Sequence, residues 1–421
     1  MNLNGWNTCS IVSIDLVNQA LAAHSDELIK TFKYRDTDMA VEGTFGPWRI
    51  LESSAERLVN VAMPITSGKL RAPRPINIEG VTIYAQMKLR MIPDPKGKHE
   101  ELRFDVTPAP SNSPMKPIMV YGIDDPKGKL DMLDEVSLQV MLTEALCAHA
   151  DQVSYVFASV KARGTIKDNW LESTNHDWVF TNAGEGRQYL TLVGGERQRD
   201  PDVPFQLDPK LIAKKASCYF AASTALFCDR ALAPALTSGF KPKSVFNAKG
   251  DAVQMTKAVS LGGAWQGPIW VEPVLKGLTL TPKGGALHVR AVTKTDLPLK
   301  TSLDAIVDMR MPFYRDPKTG GLGFKRDPHP KITKQLSKSG IIGNTLGLIV
   351  ELIVHILDKP INRVITSIAR SMQALNNQTK TPIVWRGLRD FQTDAAAWDG
   401  CLWMADLRPT KTLIQKPMEA A

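Results

Sequence analysis

The sequence is poor in reactive side chains. Its five cysteines, Cys9, Cys147, Cys218, Cys228 and Cys401, are odd in number and widely spaced, without a C-x-x-C pair. That pattern supports neither a zinc knuckle nor a dithiol redox centre, and it leaves reduced, buried thiols as the expectation. No G-x-S-x-G, H-E-x-x-H, G-x-G-x-x-G or G-x-x-x-x-G-K-[ST] occurs, so nucleophile elbows, zincin helices, dinucleotide folds and P-loops find no support. The seven histidines are dispersed. His24 and His355 sit among apolar neighbours, His176 in STNHDW, and His329 in a DPHP turn. His99, in HEE, falls in a polar stretch expected to be an exposed loop. No catalytic, cofactor-binding or metal-ligating residue is assigned, no cofactor is expected, and a non-enzyme is the expectation. Short repeats and low-complexity tracts are also missing. The opening MNLNGWNTCS has no charged and apolar leader pattern, so the expected location is cytoplasmic at synthesis, with any release by a non-classical route.

Against those absences stand 43% hydrophobic residues, a formal net charge of +9 and a pI near 9.2. The basic balance fits anionic partners or serves solubility alone. Lysines and arginines are scattered, and no RRM or zinc-finger spacing accompanies them, so nucleic acid is not an expected partner.

Helical spacing begins at Ser13, a candidate N-cap, with Ile14, Val17, Leu21 and Leu28 on one face together with His24. From Tyr34 to about Asp124 the sequence reads as strands separated by Gly- and Pro-marked turns. In VTIYAQMKLRMI, residues Val81, Ile83, Ala85, Met87, Leu89 and Met91 point one way. A second helix is expected over Leu130–Ala150, with Leu133, Val136, Val140, Met141, Ala145 and Leu146 making a broad apolar face that should lie against or inside a curved sheet. Strands resume at SYVFASVKA, DWVFTNA and RQYLTLVGG. RQRDPDVPFQLDP, residues 197–209, is the best boundary, and LIAKKASCYFAASTALFCDRALAPAL after it reads as helical or mixed. Strands dominate again from Val245 to Leu322, and two C-terminal helices meet at Pro360. Blocks of strands and blocks of helices argue for an α+β fold with antiparallel sheets.

The most apolar run, Ile341–Leu357, would reach only about 25 Å as a helix, short of the roughly 20 apolar residues that a membrane span needs. Asn344, Glu351 and His355 share one narrow stripe on it. The run reads as a buried core helix, or as one that lines an apolar groove or dips into a membrane interface. In the second case Leu348, Glu351, Leu352 and His355 are the candidate groove-lining residues, and no transmembrane segment is expected.

Gly5-Trp6-Asn7-Thr8, followed at once by an apolar run and a helix carrying Val17-Asn18, resembles the N-terminal motif of the OrfX and forty-seven-kilodalton protein family of botulinum-type toxin gene clusters. The Trp48 stretch FGPWRILESSAERLVNVAMPITSG is similar too, with SSAER where the family has a glycine-rich turn, and PVLKGLTLTPKGGALHVRA matches in pattern. The resemblance implies a TULIP (tubular lipid-binding) architecture, in which long apolar helices are wrapped by strongly curved antiparallel sheets. Two helix-plus-meander halves, 1–205 and 206–421, would form one elongated unit. It further implies a non-catalytic lipid-binding protein accessory to a toxin or secreted complex. A phospholipid or fatty acid would lie in an apolar groove, an anionic or phosphoinositide head group at its mouth, and peripheral membrane contact would follow. The alternative is a structural subunit whose tube is filled by its own side chains and whose partners are related proteins or a toxin of the same cluster.

Overall fold

A computed structural model gives the fold. It describes residues 3–51, 58–72, 74–94, 96–107, 116–161, 164, 170–184, 186–196, 217–240, 246–266, 269–298, 300–316, 321–337, 343–373, 382–388, 391–392, 395–398, 400–405 and 408–409. Within these, side chains are described except at 343–346, 371, 373, 391–392, 395–396, 403–405 and 408–409.

The chain opens with β1 (Thr8–Ser13) and α1 (Ile14–Ala23), then β2 (Thr31–Arg35), β3 (Ala40–Phe45), β4 (Arg49–Ile50), β5 (Leu58–Arg71) and β6 (Pro75–Asn77). There follow β7 (Thr82–Pro93), β8 (His99–Phe104), β9 (Ile118–Asp124), α2 (Met132–Ala148), α3 (Ala150–Val153), β10 (Val156–Lys161), β11 (Asn175–Asn182) and β12 (Gln188–Gly195). A second series starts with β13 (Cys218–Ser223), α4 (Thr224–Phe227), a π-turn over Cys228–Leu232, and α5 (Ala233–Gly239). It continues through β14 (Phe246–Lys249), β15 (Ala252–Met255), β16 (Val259–Ser260), β17 (Ala264–Gln266), β18 (Ile269–Val271), β19 (Pro273–Lys283), β20 (Ala286–Leu297) and β21 (Thr301–Arg315). The rest is β22 (Leu322–Phe324), β23 (Lys331–Leu336), α6 (Gly343–Gln373), β24 (Ile383–Trp385), β25 (Phe391–Gln392), β26 (Ala395–Trp398), β27 (Cys401–Ala405) and β28 (Arg408–Pro409).

A central antiparallel sheet runs β11-β12-β1-β13-β27-β26. Both of its faces are covered, so β1 and β13 read as nearly continuous buried runs. Each of these two strands ends in a serine that caps a helix: Ser13 Oγ accepts from Leu16 N at 3.4 Å, and Ser223 Oγ from Leu226 N at 3.2 Å. Because β1 and β13 pair antiparallel, the two helices leave the sheet in opposite directions.

The first helix therefore meets the sheet β2-β3-β5-β7-β8-β10-β24. This sheet curls into a half-barrel because its long strands change partners along their length. The end of β5 pairs β3 and its beginning pairs β7, while β7 pairs β9 first and β8 later. Irregular registers near Thr44/Phe45 and Tyr84/Ala85 add bend. The alternation expected in β7 is present: Val81, Ile83, Ala85, Met87 and Leu89 are buried, and Met91 is half-buried. They join Val17 and Leu21 of α1 and Leu138, Met141, Leu142, Ala145 and Leu146 of α2 in one core. A second core lies between the sheet β14-β15-β19-β20-β21-β22 and helices α5 and α6.

Mostly antiparallel sheet with few helices is what the chain forms, so long apolar helices as the dominant element are not found. α1 stops at Ala23, and Leu28 lies beyond it. Of the stretch read as helical or mixed, residues 211–216 lie outside the described residues, and Cys218–Ser223 is strand β13, because β1 and β27 pair it on both sides. The two expected C-terminal helices are a single helix, α6, with Pro360 inside it. Its buried stripe Ile349, Ile353, Leu357, Ile361, Val364, Ile368 and Met372 crosses the proline without interruption. Burial worth about 1.5–3 kcal/mol per side chain outweighs the roughly 3 kcal/mol that an interior proline costs. The expected boundary at 197–209 lies outside the described residues.

Candidate functional site

The N-terminal motif is a clasp. Asn7 N donates to Gly194 O at 2.8 Å, and Ser223 N donates to Asn7 O at 2.7 Å, so one residue bridges β12 and β13. Gly5 turns the chain at φ +86°, a conformation that a Cβ disfavours. Trp6 then packs with Leu3, Cys9, Tyr189 and Tyr219 in a small core on the far side of the central sheet. Thr8 is buried, and its Oγ1 would lie 2.7 Å from a Cβ on Gly194. Val17 points into the first core. The Asn18 amide acts as a short piece of strand: Ile50 N donates to its Oδ1 at 2.7 Å, and its Nδ2 donates to Ile50 O at 3.0 Å. The Trp48 ring is buried edge-on to Phe45; SSAER, residues 53–57, lies outside the described residues.

On α6 the four candidate groove residues divide. Glu351 and His355 are exposed, Leu348 is 53% exposed, and Leu352 is half-buried against the second core. The polar stripe thus faces outward, opposite the buried apolar stripe; the side chain of Asn344 lies outside the described residues. None of the four lines the clefts below.

The larger cleft, about 770 Å³, opens beside β2, β3 and β5. Lys33, Lys69 and His149 give it positive or protonatable groups, Glu42 and Glu79 negative ones, and Thr31, Thr44 and Gln152 neutral donors and acceptors. Gly43 and Gly68 face each other across the strands there. A Cβ on Gly43 would sit 2.5 Å from Ser67 O and 2.6 Å from Phe32 Cζ, so this floor is formed by backbone in close approach. A second cleft of about 650 Å³ is lined by Asp229, Pro234, Thr237, Ser238, Phe246 and Asn247.

Helix α2 carries apolar residues on two sides. It starts with a capping box, Asp131 and Asp134, and it covers the open edge of β9, where Thr143 Oγ1 accepts from Val120 N at 3.1 Å. Only part of the broad apolar face expected from sequence is inside. Met132 and Leu133 are 81% and 78% exposed, and Val136 and Val140 are also exposed. Met119 and Tyr121 of the adjoining β9 face out as well.

Burial pushes the Cys9 thiol up to about 12, with Cys401 nearby adding to the effect. Cys228 rises to about 12 from burial and then from Asp251 and Asp229. Such thiols are protonated and poor nucleophiles at neutral pH. His176 lies on β11, where its Nδ1 is 2.9 Å from Glu100 Oε2. His99 opens strand β8, half-buried, where an exposed loop was expected. With Asp94 and Glu101 it forms the one group of three His/Cys/Asp/Glu side chains among the described residues whose ligand atoms all lie within 4.8 Å of each other. The D-x4-H-x-E spacing around the turn DPKGK was the available signal. No helix among the described residues is long and apolar enough to cross a membrane.

Residues 3–315 match the profile of a family described as OrfX-like: Protein OrfX2/OrfX3/P47. A relative, Protein P47 of Clostridium botulinum (strain Kyoto / Type A2), is 24% identical over 207 residues, and the match spans 48% of this chain and 48% of that relative's length. The structure of P47 from Clostridium botulinum A2 superposes with a TM-score of 0.76 at 18% identity, over 96% of this chain and 98% of that one. P47 of Clostridium botulinum E1 superposes with a TM-score of 0.75 at 16% identity, over 97% and 100%. These two likenesses are of fold. With its motif clasp, curled sheet and a family profile matched over residues 3–315, the chain belongs to the OrfX-like family.

Proposed function

We propose that this chain is a non-catalytic binding protein that joins a related OrfX-like chain in a toxin-associated complex, with the outer row of α2 and β9 as its docking face. One observation carries the reading: Met132, Leu133, Val136 and Val140 are exposed on a helix whose other side is already packed. Large contiguous apolar patches on a protein surface mark interaction sites. The two main cores are filled by side chains such as Leu142, Ile83, Leu278 and Ile353, which supports a TULIP-like scaffold closed by its own residues. The family's association with botulinum-type toxin clusters supports the accessory role.

The test is organic extraction of the purified protein with mass spectrometry, alongside co-elution with a related chain. The expected result is no stoichiometric lipid, and co-elution that Leu133→Lys with Val136→Lys abolishes. A stoichiometric phospholipid or fatty acid would overturn this reading. It would favour a second one, in which the chain is a lipid-binding protein in peripheral contact with membranes. The cleft bearing Lys33, Lys69 and His149 supports that alternative, because basic groups at a mouth suit an anionic or phosphoinositide head group. Acyl burial would add about 0.8 kcal/mol per CH₂.

A further inference from the structure

We propose that the hairpin between β7 and β8 holds a divalent first-row transition ion, with Zn²⁺ the natural probe, through Asp94, His99 and Glu101. The three residues are brought together by regular β geometry. His99 and Glu101 are two apart on β8 and so share a face. Asp94 sits just past the end of β7, and its N–H donates to His99 O at 2.8 Å. The turn is fixed further by Gly97, which donates to Asp94 O at 2.8 Å from a φ of +65°.

The imidazole stands between the two acids. Its Nε2 is 3.0 Å from Glu101 Oε1, and its Nδ1 is 3.7 Å from Asp94 Oδ2. A neutral imidazole has a single N–H, so it cannot donate to both carboxylates. The acid side chains are only 13% and 15% exposed, which limits what water can supply. An ion on Nε2 would meet Glu101 there and leave the single N–H on Nδ1, toward Asp94. Two ligand atoms each about 2.1 Å from one tetrahedral ion lie about 3.4 Å apart, so the 3.0 Å between His99 Nε2 and Glu101 Oε1 needs to open by a few tenths of an ångström. One nitrogen with two carboxylates suits zinc or manganese rather than a soft-thiolate metal.

The outer contacts fit as well. Lys96 N donates to Asp94 Oδ2 at 3.2 Å, and Arg103 Nη1 lies 3.6 Å from Glu101 Oε2, leaving Oε1 directed at His99. Ligating carboxylates are commonly steadied in this way. Three further basic groups belong to the setting: Lys161, paired opposite His99 on β10, and Lys96 and Lys98 in the turn. With Arg103 they outweigh the two carboxylates and lower the affinity for a cation, so the site would bind an ion exchangeably, with water completing the coordination.

The test is Zn²⁺ titration of the metal-free full chain against a chromophoric chelator. One equivalent should bind with micromolar Kd. His99→Ala and Glu101→Gln should each weaken it tenfold or more, while His288→Ala, an exposed histidine on β20, should leave it unchanged. Unfolding curves recorded without metal would verify that the variants fold. Failure to bind at millimolar Zn²⁺, or binding that His99→Ala leaves intact, would overturn the proposal and leave the cluster as a hydrogen-bonded histidine–carboxylate group. Neither outcome bears on the docking face of α2.

Discussion

Replacing Asn18 with alanine tests the claim that the N-terminal motif is a structural clasp. The side-chain amide makes two hydrogen bonds to Ile50, 2.7 Å to its N–H and 3.0 Å to its carbonyl. Strand β4 pairs only with β5 among the described strands, so Asn18 stands where a further strand would. The Ile50 side chain is 2% exposed, which keeps water from simply replacing the amide. Leaving a buried backbone donor or acceptor without its partner costs about 1–3 kcal/mol. Two such groups, partly relieved by water at the margin, give about 2–3 kcal/mol for Asn18→Ala. At about 1.4 kcal/mol per factor of ten, the Ile50 amide should exchange with deuterium some 30- to 100-fold faster, while amides in β20 keep their protection. Asn18→Asp should be nearly as costly, because it loses the donor and sets a carboxylate against the Ile50 carbonyl. Hydrogen exchange followed by mass spectrometry reads both. An Ile50 amide that exchanges less than threefold faster in Asn18→Ala would refute the reasoning, and the Val17-Asn18 pair would then need another explanation.

Three further outcomes follow from the packing. Pro360→Ala should stabilise the second core by about 1–3 kcal/mol, since it restores a helical N–H within α6; a lower thermal midpoint would contradict the account of why the helix runs on. Gly194→Ala should destabilise by about 1–3 kcal/mol, because its Cβ would lie 2.7 Å from both Thr8 Oγ1 and Ser173 Oγ, and Thr8→Ala should recover part of the loss in a denaturant titration. Cys9 and Cys228 should resist alkylation in the folded protein at pH 8. Their thiols ionise near 9.0 when unfolded and only at about 12 when folded, so the unfolded chain releases protons first. Stability should therefore fall as pH rises above 9, by about 1 kcal/mol per thiol at pH 10, and a rising or flat stability curve there would count against that burial.

Where local pattern and tertiary context agree, the residues announce the fold. β7 shows this through its strict alternation, and the β19–β20 hairpin through Gly284 and Gly285 at positive φ. Ser13 does so as well, capping the helix it was expected to cap. Where context overrides pattern, they do not. CYFAAS carries only Tyr219 and Phe220 as strand formers among small residues and has no alternation, yet it becomes β13 because β1 on one side and β27 on the other satisfy its backbone. Trp385 lies 375 residues from Ser10, but its Nε1 donates to that hydroxyl at 2.9 Å, so the C-terminal segment helps close the first core. Such a contact has no local signature. The exposed side of α2 was hidden for a related reason: Leu133, Val136 and Val140 share the helical spacing of core residues, and only the position of the curled sheet shows which apolar face is already occupied. Asp94, His99 and Glu101 were spread across a turn whose register decides whether they meet. The same register logic reaches the centre of the molecule. Ser13 and Ser223 cap helices at the ends of two strands that pair antiparallel, so one strand–serine–helix device, used twice, sends the chain to two sheets from one seam. That places the motif residues 5–8 at the seam, which is why a terminus as apolar as Leu3 and Trp6 is ordered by packing while the docking and cation candidates lie farther out, on α2 and the β7–β8 turn.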